Sequence, residues 1–452
     1  MNRFFHFSLI ELSLLLVVGS FFIDAGLFIG SNRVFFPFLL SIVAFGLMVF
    51  KYYRFEKGMF RQLTIIVLLF IVTIVSSLAG FFKFLDVSPF KGEYVGFASV
   101  KILIYFFSDI VIMLTVAKTF KIEQINRINT IVKVVSLITI IYGGVEYFNI
   151  IHRNNVIQKY LCLILDLFHA GPIVYYTDYL SLLGFEHSYG VISSLILYSF
   201  FLGAIISGQR IFRKKEIDII FALLLLTLSF LTRSKSGYIS IILVHLFLVV
   251  QVLTDKAIKK RILVYIIFFS TVAGGLVVKD VIERAQNIML SHGSSAFTRT
   301  SYLKASKEMI IKNPILGIGL GNYKFAFPEA VELANIKKIF EIPGLLDTNK
   351  PQFISDPGNM IVGFWVEAGI LGLLLFVLFL LQLMKLLKKS YKFASEKPVK
   401  AFVLGLAYAY ISILGSFTSK YLFNIYIWWV IFGLIIGVYC SLEKRIVEFG
   451  SE

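Results

Sequence analysis

Two stretches of this sequence organise the chain: SSAFTRTSYLKASKEMIIKNPILGIGLGNYKFAF at 294–327 and SDPGNMIVGFWVEAGILGLLLF at 355–376. In residues 299–312 the spacing predicts an amphipathic helix that ends at Pro314. Its apolar side is predicted to hold Tyr302, Leu303, Ala305, Met309, Ile310 and Ile311, and its polar side Lys304, Lys307, Glu308 and Lys312. The second stretch passes from polar residues into a long apolar run. Together they predict a folded polar segment followed by a helix that enters a membrane.

The composition of the whole chain is that of a membrane protein. Of its 452 residues, 58% are hydrophobic and 16% are charged, and the mean hydropathy is +0.85. Soluble domains have about 45–50% apolar and about 25% charged residues. The apolar residues come in blocks long enough to cross a hydrocarbon layer of about 30 Å as α-helix. We therefore predict an all-α polytopic membrane protein.

Twelve apolar runs predict transmembrane spans. They are 6–28, 34–50, 62–82, 98–117, 131–150, 190–208, 216–232, 237–254, 262–279, 359–384, 400–418 and 421–441. Arg3 precedes the first run, and no small-residue cleavage site follows a short apolar core. The first run is therefore predicted to be a retained span and not a signal peptide.

Lysines and arginines cluster in every second interval between these runs. The clusters lie in 51–61, 118–133, 210–215, 256–261, 385–392 and 444–445. Because basic residues concentrate in cytoplasmic loops, this alternation predicts that both termini are cytoplasmic. It also accounts for the net charge of +17 without nucleic acid. The long intervals 151–189 and 280–358 are then external. The predicted organisation is one membrane domain: spans 1–9 in 1–279, a large partly helical external loop in 280–358, and spans 10–12 with the tail in 359–452.

The short hairpin LTRSKSGY at 231–238 carries two cations, Arg233 and Lys235, on the predicted outer side. One interpretation is that both side chains reach lipid headgroups. The other is that they bind an anionic group that carries phosphate, because guanidinium forms a bidentate fork with phosphate and lysine adds a point charge. Arg299, ahead of the amphipathic helix, is a third cation on that side. Alone it fits a solvated charge, but three cations together suit a diphosphate.

Two carboxylates near the second stretch are candidate catalytic groups. Asp356 precedes Pro357 and is predicted to cap the following helix. Glu367 lies about two turns inside that span, where a carboxylate is expensive and indicates either function or a structural hydrogen bond. The same two readings apply to three more carboxylates in apolar runs, Glu11, Asp109 and Glu146.

No familiar cofactor or metal motif is present in the sequence. There is no phosphate-binding loop, no HExxH and no paired CxxC, and Cys162 and Cys440 predict no disulfide. Spacing singles out none of the six histidines as a metal ligand, although His169, His187 and His292 in external loops are candidate bases. GIGLGN at 317–322 follows a helix and a proline, which indicates a tight turn and not a dinucleotide loop. No metal or cofactor is therefore expected.

RTSYLKASKEMIIKNPILGIGLGN at 299–322 and GNMIVGFWVEAGILGLLLF at 358–376 resemble the O-antigen ligase and polymerase superfamily of bacterial membrane proteins. TRSKSGY at 232–238 is similar to the hairpin of that family, and the resemblance covers roughly residues 190–385. It implies a metal-independent glycosyltransferase of the inner membrane with a periplasmic active site. The donor would be a glycan on a polyprenyl diphosphate such as undecaprenyl diphosphate. By motif position Arg299 would grip the diphosphate, with Lys235 and Arg233 assisting.

The resemblance also shapes the rest of the site. In the ligases a histidine precedes the asparagine of the second motif, whereas this chain has Gly358 before Asn359. That departure favours the polymerase branch, which joins lipid-linked repeat units of O-antigen or a related surface polysaccharide. Either the base lies elsewhere, with Asp356 and Glu367 as the nearest candidates, or the reaction needs no strong base. Tyr302, Asn359 and His187 are further candidates for contacting the substrate. The expected partners are lipid-linked oligosaccharides as donor and acceptor, membrane lipid, and a chain-length regulator protein.

Two alternatives remain at this stage. A ligase would transfer finished glycan to another acceptor, such as the core of lipopolysaccharide. A flippase or transporter for lipid-linked sugar would fit the span count, but such proteins tend to show repeat symmetry between their halves. No such repeat is visible in this sequence.

Overall fold

The computed structural model describes residues 57–84, 95–152, 187–232, 234–254, 295–334, 359–418 and 426–449. Within these ranges the chain forms eleven α-helices and one 3-10 helix, Ile122–Gln124, and no strand. The α-helices are α1 Lys57–Lys83, α2 Val95–Thr119, α3 Ile125–His152, α4 His187–Ser207, α5 Lys215–Leu231, α6 Lys235–Thr254, α7 Ser295–Lys312, α8 Tyr323–Leu333, α9 Met360–Phe393, α10 Lys397–Ser416 and α11 Tyr426–Phe449. The all-α prediction is confirmed for this part of the chain.

Helices occupy nine of the twelve predicted spans. The predicted spans 6–28, 34–50 and 262–279 lie outside the described residues. Five of the described helices contain segments long and apolar enough to cross a membrane: Leu63–Lys83, Ala98–Thr119, Ile122–Val145, Met360–Phe393 and Lys397–Ser416. Two shorter apolar segments, Ile192–Ser207 and Ser236–Gln251, accompany them. The total of twelve spans stays a prediction.

Small residues set the close approach of the long helices. A Cβ atom on Gly203 of α4 would lie 2.4 Å from the backbone nitrogen of Gly405 in α10, so these two helices touch through their backbones. Gly433 and Gly437 of α11 pack in the same order along α2, against Met113 and Ala117, so α2 and α11 run parallel. Side chains larger than hydrogen at these crossings would force the helices apart.

One end of the bundle is tied by an exposed ionic cluster. The Arg445 guanidinium near the end of α11 lies 2.6 Å from Glu123 of the 3-10 helix and 3.0 Å from Glu396, which precedes α10. Pairs this exposed contribute little stability, about 0–1 kcal/mol each. Their value here is geometric, because they place the end of α2, the start of α10 and the end of α11 together.

Helix α9 is broken at Gly369, where φ is +66° and ψ is −171°. The rings of Phe364 and Phe376 stack with centroids 4.2 Å apart across the break. In a straight helix, residues twelve positions apart are separated by about 18 Å along the axis. The break therefore bends α9 sharply, and a glycine is required because other residues rarely adopt this backbone conformation.

Helices α7 and α8 form a hairpin that packs on α9. The turn between them contains Gly317, Gly319 and Gly321 with φ of +72°, +86° and +77°, which confirms the tight glycine turn. Helix α7 ends at Lys312, before Pro314, as predicted. Its predicted apolar side is partly wrong: Ala305 and Met309 are buried, whereas Leu303 and Ile311 are 50% and 60% exposed. They are exposed because α8 and α9 cover only the side of α7 that carries Ala305 and Met309.

Substitution of Gly369 by Ala is expected to destabilise the fold strongly. A Cβ atom there would lie 2.1 Å from the carbonyl oxygen of Ile315, and the positive φ adds strain. We expect a loss of about 2 kcal/mol or more, since left-handed backbone costs roughly 1–2 kcal/mol and overpacking about 1–3 kcal/mol. The loss of stability is measured by heating the purified protein in detergent and recording the temperature at which the monodisperse species disappears.

Two matched controls separate the causes of that loss. Gly208→Ala also has a positive φ, +70°, but nothing lies within 4 Å of the added atom, so it reports strain alone. Gly144→Ala lies in α3 with open space and should be neutral or slightly stabilising, since alanine favours helix. If Gly369→Ala melted at the same temperature as Gly144→Ala, the break in α9 would not depend on close packing.

Candidate functional site

The break in α9 exposes backbone groups that the glycine turn satisfies. The N–H groups of Ile318 and Gly319 donate to the carbonyls of Val366 and Glu367, at 3.0 and 2.9 Å. In the other direction, the N–H of Ile370 donates to the carbonyl of Pro314 at 2.9 Å. A Cβ atom on Gly317 would lie 2.5 Å from the Glu367 carbonyl carbon, so only glycine permits this approach. We call the turn, residues 313–322, the stitch segment.

Two hydroxyl groups of α1 complete this pairing. The Ser76 hydroxyl of α1 is placed to donate to the carbonyls of both Glu367, at 2.6 Å, and Leu316. Leu320 donates its N–H to the Ser77 hydroxyl at 3.3 Å. Because the interacting groups belong to α1, α9 and the stitch segment, they lock these three elements to one another.

Asn322 is the last residue of the stitch segment and is fully buried. Its side-chain oxygen accepts from the Ser99 hydroxyl of α2 at 3.0 Å, and its amide donates to the carbonyl of Ile318 at 2.9 Å. The backbone of α1 also packs directly against the turn, since a Cβ atom on Gly80 would lie 2.1 Å from that same Ile318 carbonyl oxygen. Asn322 therefore fixes the turn and links it to α2.

The Glu367 carboxylate lies inside this assembly and is inaccessible to solvent. One carboxylate oxygen accepts the N–H of Tyr323, the first residue of α8, at 3.2 Å. Asn322, at the N-cap position of α8, makes no side-chain capping bond. Glu367 thus caps α8 from a different helix, where a negative charge is also favoured by the helix dipole.

Helix α7 is held against α8 by tyrosines. The Tyr323 hydroxyl lies 3.2 Å from the Ser306 hydroxyl and donates to the Tyr302 carbonyl at 3.3 Å. The Tyr302 ring packs edge-on against Phe327, with centroids 5.3 Å apart. An exposed ion pair, Lys312 with Glu329 at 2.5 Å, lies across the same hairpin. The hairpin therefore holds α7, with Arg299 in its second turn, beside the break in α9.

The start of α9 is joined to the end of α10. Asn359 caps α9 by accepting the N–H groups of Ile361 and Val362, at 3.0 and 3.1 Å. The predicted cap, Asp356, lies outside the described residues, and the structure gives that role to Asn359. Its amide donates to the Thr418 carbonyl at 3.4 Å, and the Met360 N–H donates to the Phe417 carbonyl at 2.9 Å.

The start of α6 lies at the same end of the bundle. The Ser240 hydroxyl donates to the Ser412 carbonyl of α10 at 2.8 Å, and Gly415 leaves no room for a side chain against Ser240. The buried hydroxyls of Ser234 and Ser236 lie 2.9 Å apart on either side of Lys235. The beginnings of α6 and α9 therefore both lie beside the end of α10.

The predicted site residues are distributed as follows. Arg233 and Asp356 lie outside the described residues. Lys235 and His187 are the first residues of α6 and α4, Arg299 lies in the second turn of α7, and only their backbone positions are described. Tyr302 packs in the hairpin, Asn359 is the cap of α9, and Glu367 is buried. The convergence of Arg299, Arg233 and Lys235 stays a prediction.

Sequence analysis did not find Ser76, Ser77, Ser99 or Asn322 as parts of this assembly. The available signal was weak: two serines and a glycine, SSLAG at 76–80, interrupt an otherwise apolar run. Small polar residues in such a run indicate a close helix contact. They do not say which distant segment makes that contact.

Together, these features define a helical membrane protein whose α7–α8 hairpin is anchored to the broken helix α9. A protein-family model described as O-antigen ligase matches residues 220–377, about a third of the chain. The matched region runs from α5 to α9 and contains the hairpin, the stitch segment and the break. It supports the resemblance to the O-antigen ligase superfamily, although it does not distinguish polymerases from ligases. The comparison with curated proteins found no match.

Substitution of Glu367 by Gln separates capping from catalysis. The amide oxygen of Gln can still accept the Tyr323 N–H, so we expect a folded protein that retains most of its activity. Glu367→Ala removes the carboxylate that accepts this buried N–H and is expected to cost about 1–3 kcal/mol. Thermal stability in detergent and glycan-transfer rate, measured on both variants, provide the readouts.

If Glu367 were instead the catalytic base, Glu367→Gln would lose activity without losing stability. A general base contributes about 10²–10⁴-fold in rate, and Gln cannot accept the proton. A stable Glu367→Gln protein with a rate loss of that size would mean that Glu367 is the base and not only a cap.

Proposed function

We propose that this protein joins glycan units carried on a polyprenyl diphosphate, at the outer face of a bacterial inner membrane. The observation that carries the proposal is the match to O-antigen ligases over residues 220–377, which spans the hairpin and the broken helix. That match supports a role in the assembly of O-antigen or a related surface glycan. The membrane-spanning helices support the location.

The donor diphosphate is proposed to bind between α7 and the start of α6. Arg299 would grip it, with Arg233 just before α6 and Lys235 at the first position of α6. The arrangement of helix ends supports this assignment. The beginnings of α6 and α9 lie beside the end of α10, and α7 packs against α9. Helix beginnings carry positive partial charge, so two of them at one end of the bundle also favour an anion.

In the proposed reaction, a hydroxyl group of the acceptor sugar attacks the anomeric carbon of the donor glycan. A new glycosidic bond forms, the bond from the anomeric carbon to the diphosphate oxygen breaks, and the lipid diphosphate leaves as an anion. The three cations stabilise the charge that develops on this leaving group. The proton of the attacking hydroxyl passes to a base, for which Asp356 is the candidate. The buried cap Glu367 is given a positioning role.

The proposal favours the polymerase over the ligase. The residue before Asn359 is Gly358, where the ligases have a histidine that acts on the acceptor. A polymerase receives its acceptor as a second lipid-linked unit, for which a chain-length regulator protein is a candidate partner. The ligase alternative fits the family match equally well.

Arg299→Ala is expected to stop glycan transfer without unfolding the protein. Loss of one preorganised group that stabilises developing charge typically costs about 10²–10³-fold in rate. The measurement is the chain-length distribution made by purified protein from lipid-linked repeat units. Lys307→Ala is the matched control, since Lys307 lies two turns further along α7 on its exposed surface. Wild-type polymer lengths from Arg299→Ala would reject the assigned role.

The identity of the accumulated product separates polymerase from ligase. Cells without a polymerase should hold single repeat units on the lipid carrier, because no chain growth occurs. Cells without a ligase should hold long polymer on the carrier, because growth continues and only the final transfer fails. Electrophoresis of the lipid-linked glycans from a deletion strain distinguishes these outcomes.

A further inference from the structure

The depth of the stitch segment in the membrane follows from the helices that hold it. Ile370 of α9 donates to the Pro314 carbonyl and lies 15 residues before Lys385, the first of the basic residues after that span. At 1.5 Å per residue this separation is about 22 Å. If Lys385 marks the inner edge of a hydrocarbon layer about 30 Å thick, Pro314 lies about 8 Å below the outer edge.

A second helix gives the same depth independently. Ser76 of α1 is placed to donate to the Leu316 and Glu367 carbonyls, and it lies 15 residues after the basic residue Arg61. That separation is again about 22 Å. In α2, Ser99 bonds to Asn322 and lies 19 residues before Lys118, or about 28 Å. A tilt of these helices would only place the contacts deeper.

The hydrogen bonding of the stitch segment is what such a depth demands. Irregular backbone is tolerated within the hydrocarbon only where protein satisfies its polar groups. Here the carbonyls and N–H groups of the turn pair with α9, with serines of α1, and with the buried Asn322 side chain. An external turn could take these bonds from water and would have no need of three helices.

The surface beside the stitch segment is apolar and unusually exposed. Ile311 and Ile315 are each 60% exposed. Ile315 lies next to Leu371, whose N–H approaches its carbonyl at 3.5 Å, and Leu371 and Leu374 of α9 are 42% and 53% exposed. The apolar strip therefore continues from the membrane-facing side of α9 onto the end of α7.

We infer that residues 313–322 form a re-entrant segment within the outer leaflet, with Ile311 and Ile315 in contact with lipid acyl chains. The polar composition of 280–358 predicts a wholly external interval, whereas this inference makes part of it dip back into the membrane. This also explains why Ile311 lies on an exposed face of α7.

The same depth limits where Arg299 can lie. Arg299 lies 14 residues before Asn313, the residue that follows α7. This separation is about 21 Å if α7 is perpendicular to the membrane plane. Arg299 would then be at most about 13 Å above the outer hydrocarbon edge. Lower inclinations bring it closer to the headgroup layer, where the diphosphate of a lipid carrier resides.

Site-directed spin labelling tests the inference. Nitroxide labels are placed on single-cysteine variants Ile315→Cys and Ile311→Cys, in a full-length background with Cys162 and Cys440 replaced by alanine. Leu374→Cys serves as the lipid-facing reference, and Glu332→Cys, on the exposed surface of α8, as the aqueous reference. In reconstituted liposomes, collision with oxygen reports acyl-chain contact and collision with a water-soluble nickel chelate reports solvent.

We expect the label at 315 to behave like that at 374, with a nickel accessibility several-fold below that at 332. A label at 315 that matched 332 would overturn the inference. If labelling at 315 disturbed the fold, reactivity of Ile311→Cys toward a charged maleimide in intact vesicles would decide, slow reaction supporting the inference and rapid reaction rejecting it. Neither measurement involves glycan transfer, so a negative result would leave the proposed reaction untouched.

Discussion

The interaction on which this structure depends is the pairing between the broken backbone of α9 and the glycine turn that follows α7. A helix that is interrupted inside a membrane leaves unpaired carbonyl and N–H groups that water cannot reach. Each such group left unpaired costs several kcal/mol, so the break is stable only if another segment supplies the partners. The stitch segment supplies them from both directions, and the Ser76 hydroxyl is placed to donate to one of the same carbonyls, that of Glu367. Glycine at 317, 319 and 369 permits the contact.

This pairing has a mechanical consequence for the hairpin. Helix α7 ends immediately before the stitch segment, and α8 begins immediately after it, capped by Glu367 from α9. The orientation of both hairpin helices is therefore set by one rigid junction and not by a flexible linker. A transferase that must hold a lipid-borne diphosphate against an acceptor benefits from such rigidity, because misplacement by about 1 Å can cost 10²-fold in rate.

The contact between α9 and the stitch segment also bears on the role of Glu367 in the proposed reaction. Glu367 is buried and its carboxylate accepts the N–H of Tyr323 at the start of α8, which is a structural role. The proposed reaction therefore relies on charge stabilisation by Arg299, Arg233 and Lys235, with Asp356 as the candidate base. In the proposed arrangement the rigid junction lies within the membrane boundary and the reacting groups lie above it.

The sequence by itself determined the class of the protein. Apolar runs located nine described helices, the glycine spacing indicated the tight turn, and the residues of 299–322 and 358–376 indicated the family that the comparison supports. Only the tertiary structure decided that Glu367 caps α8, that Asn359 caps α9, and that Ser76, Ser99 and Asn322 hold the turn. Hydropathy and turn preferences are local properties of a few neighbouring residues. The Ser76 to Glu367 contact joins positions 291 residues apart, and no local pattern specifies such a partner.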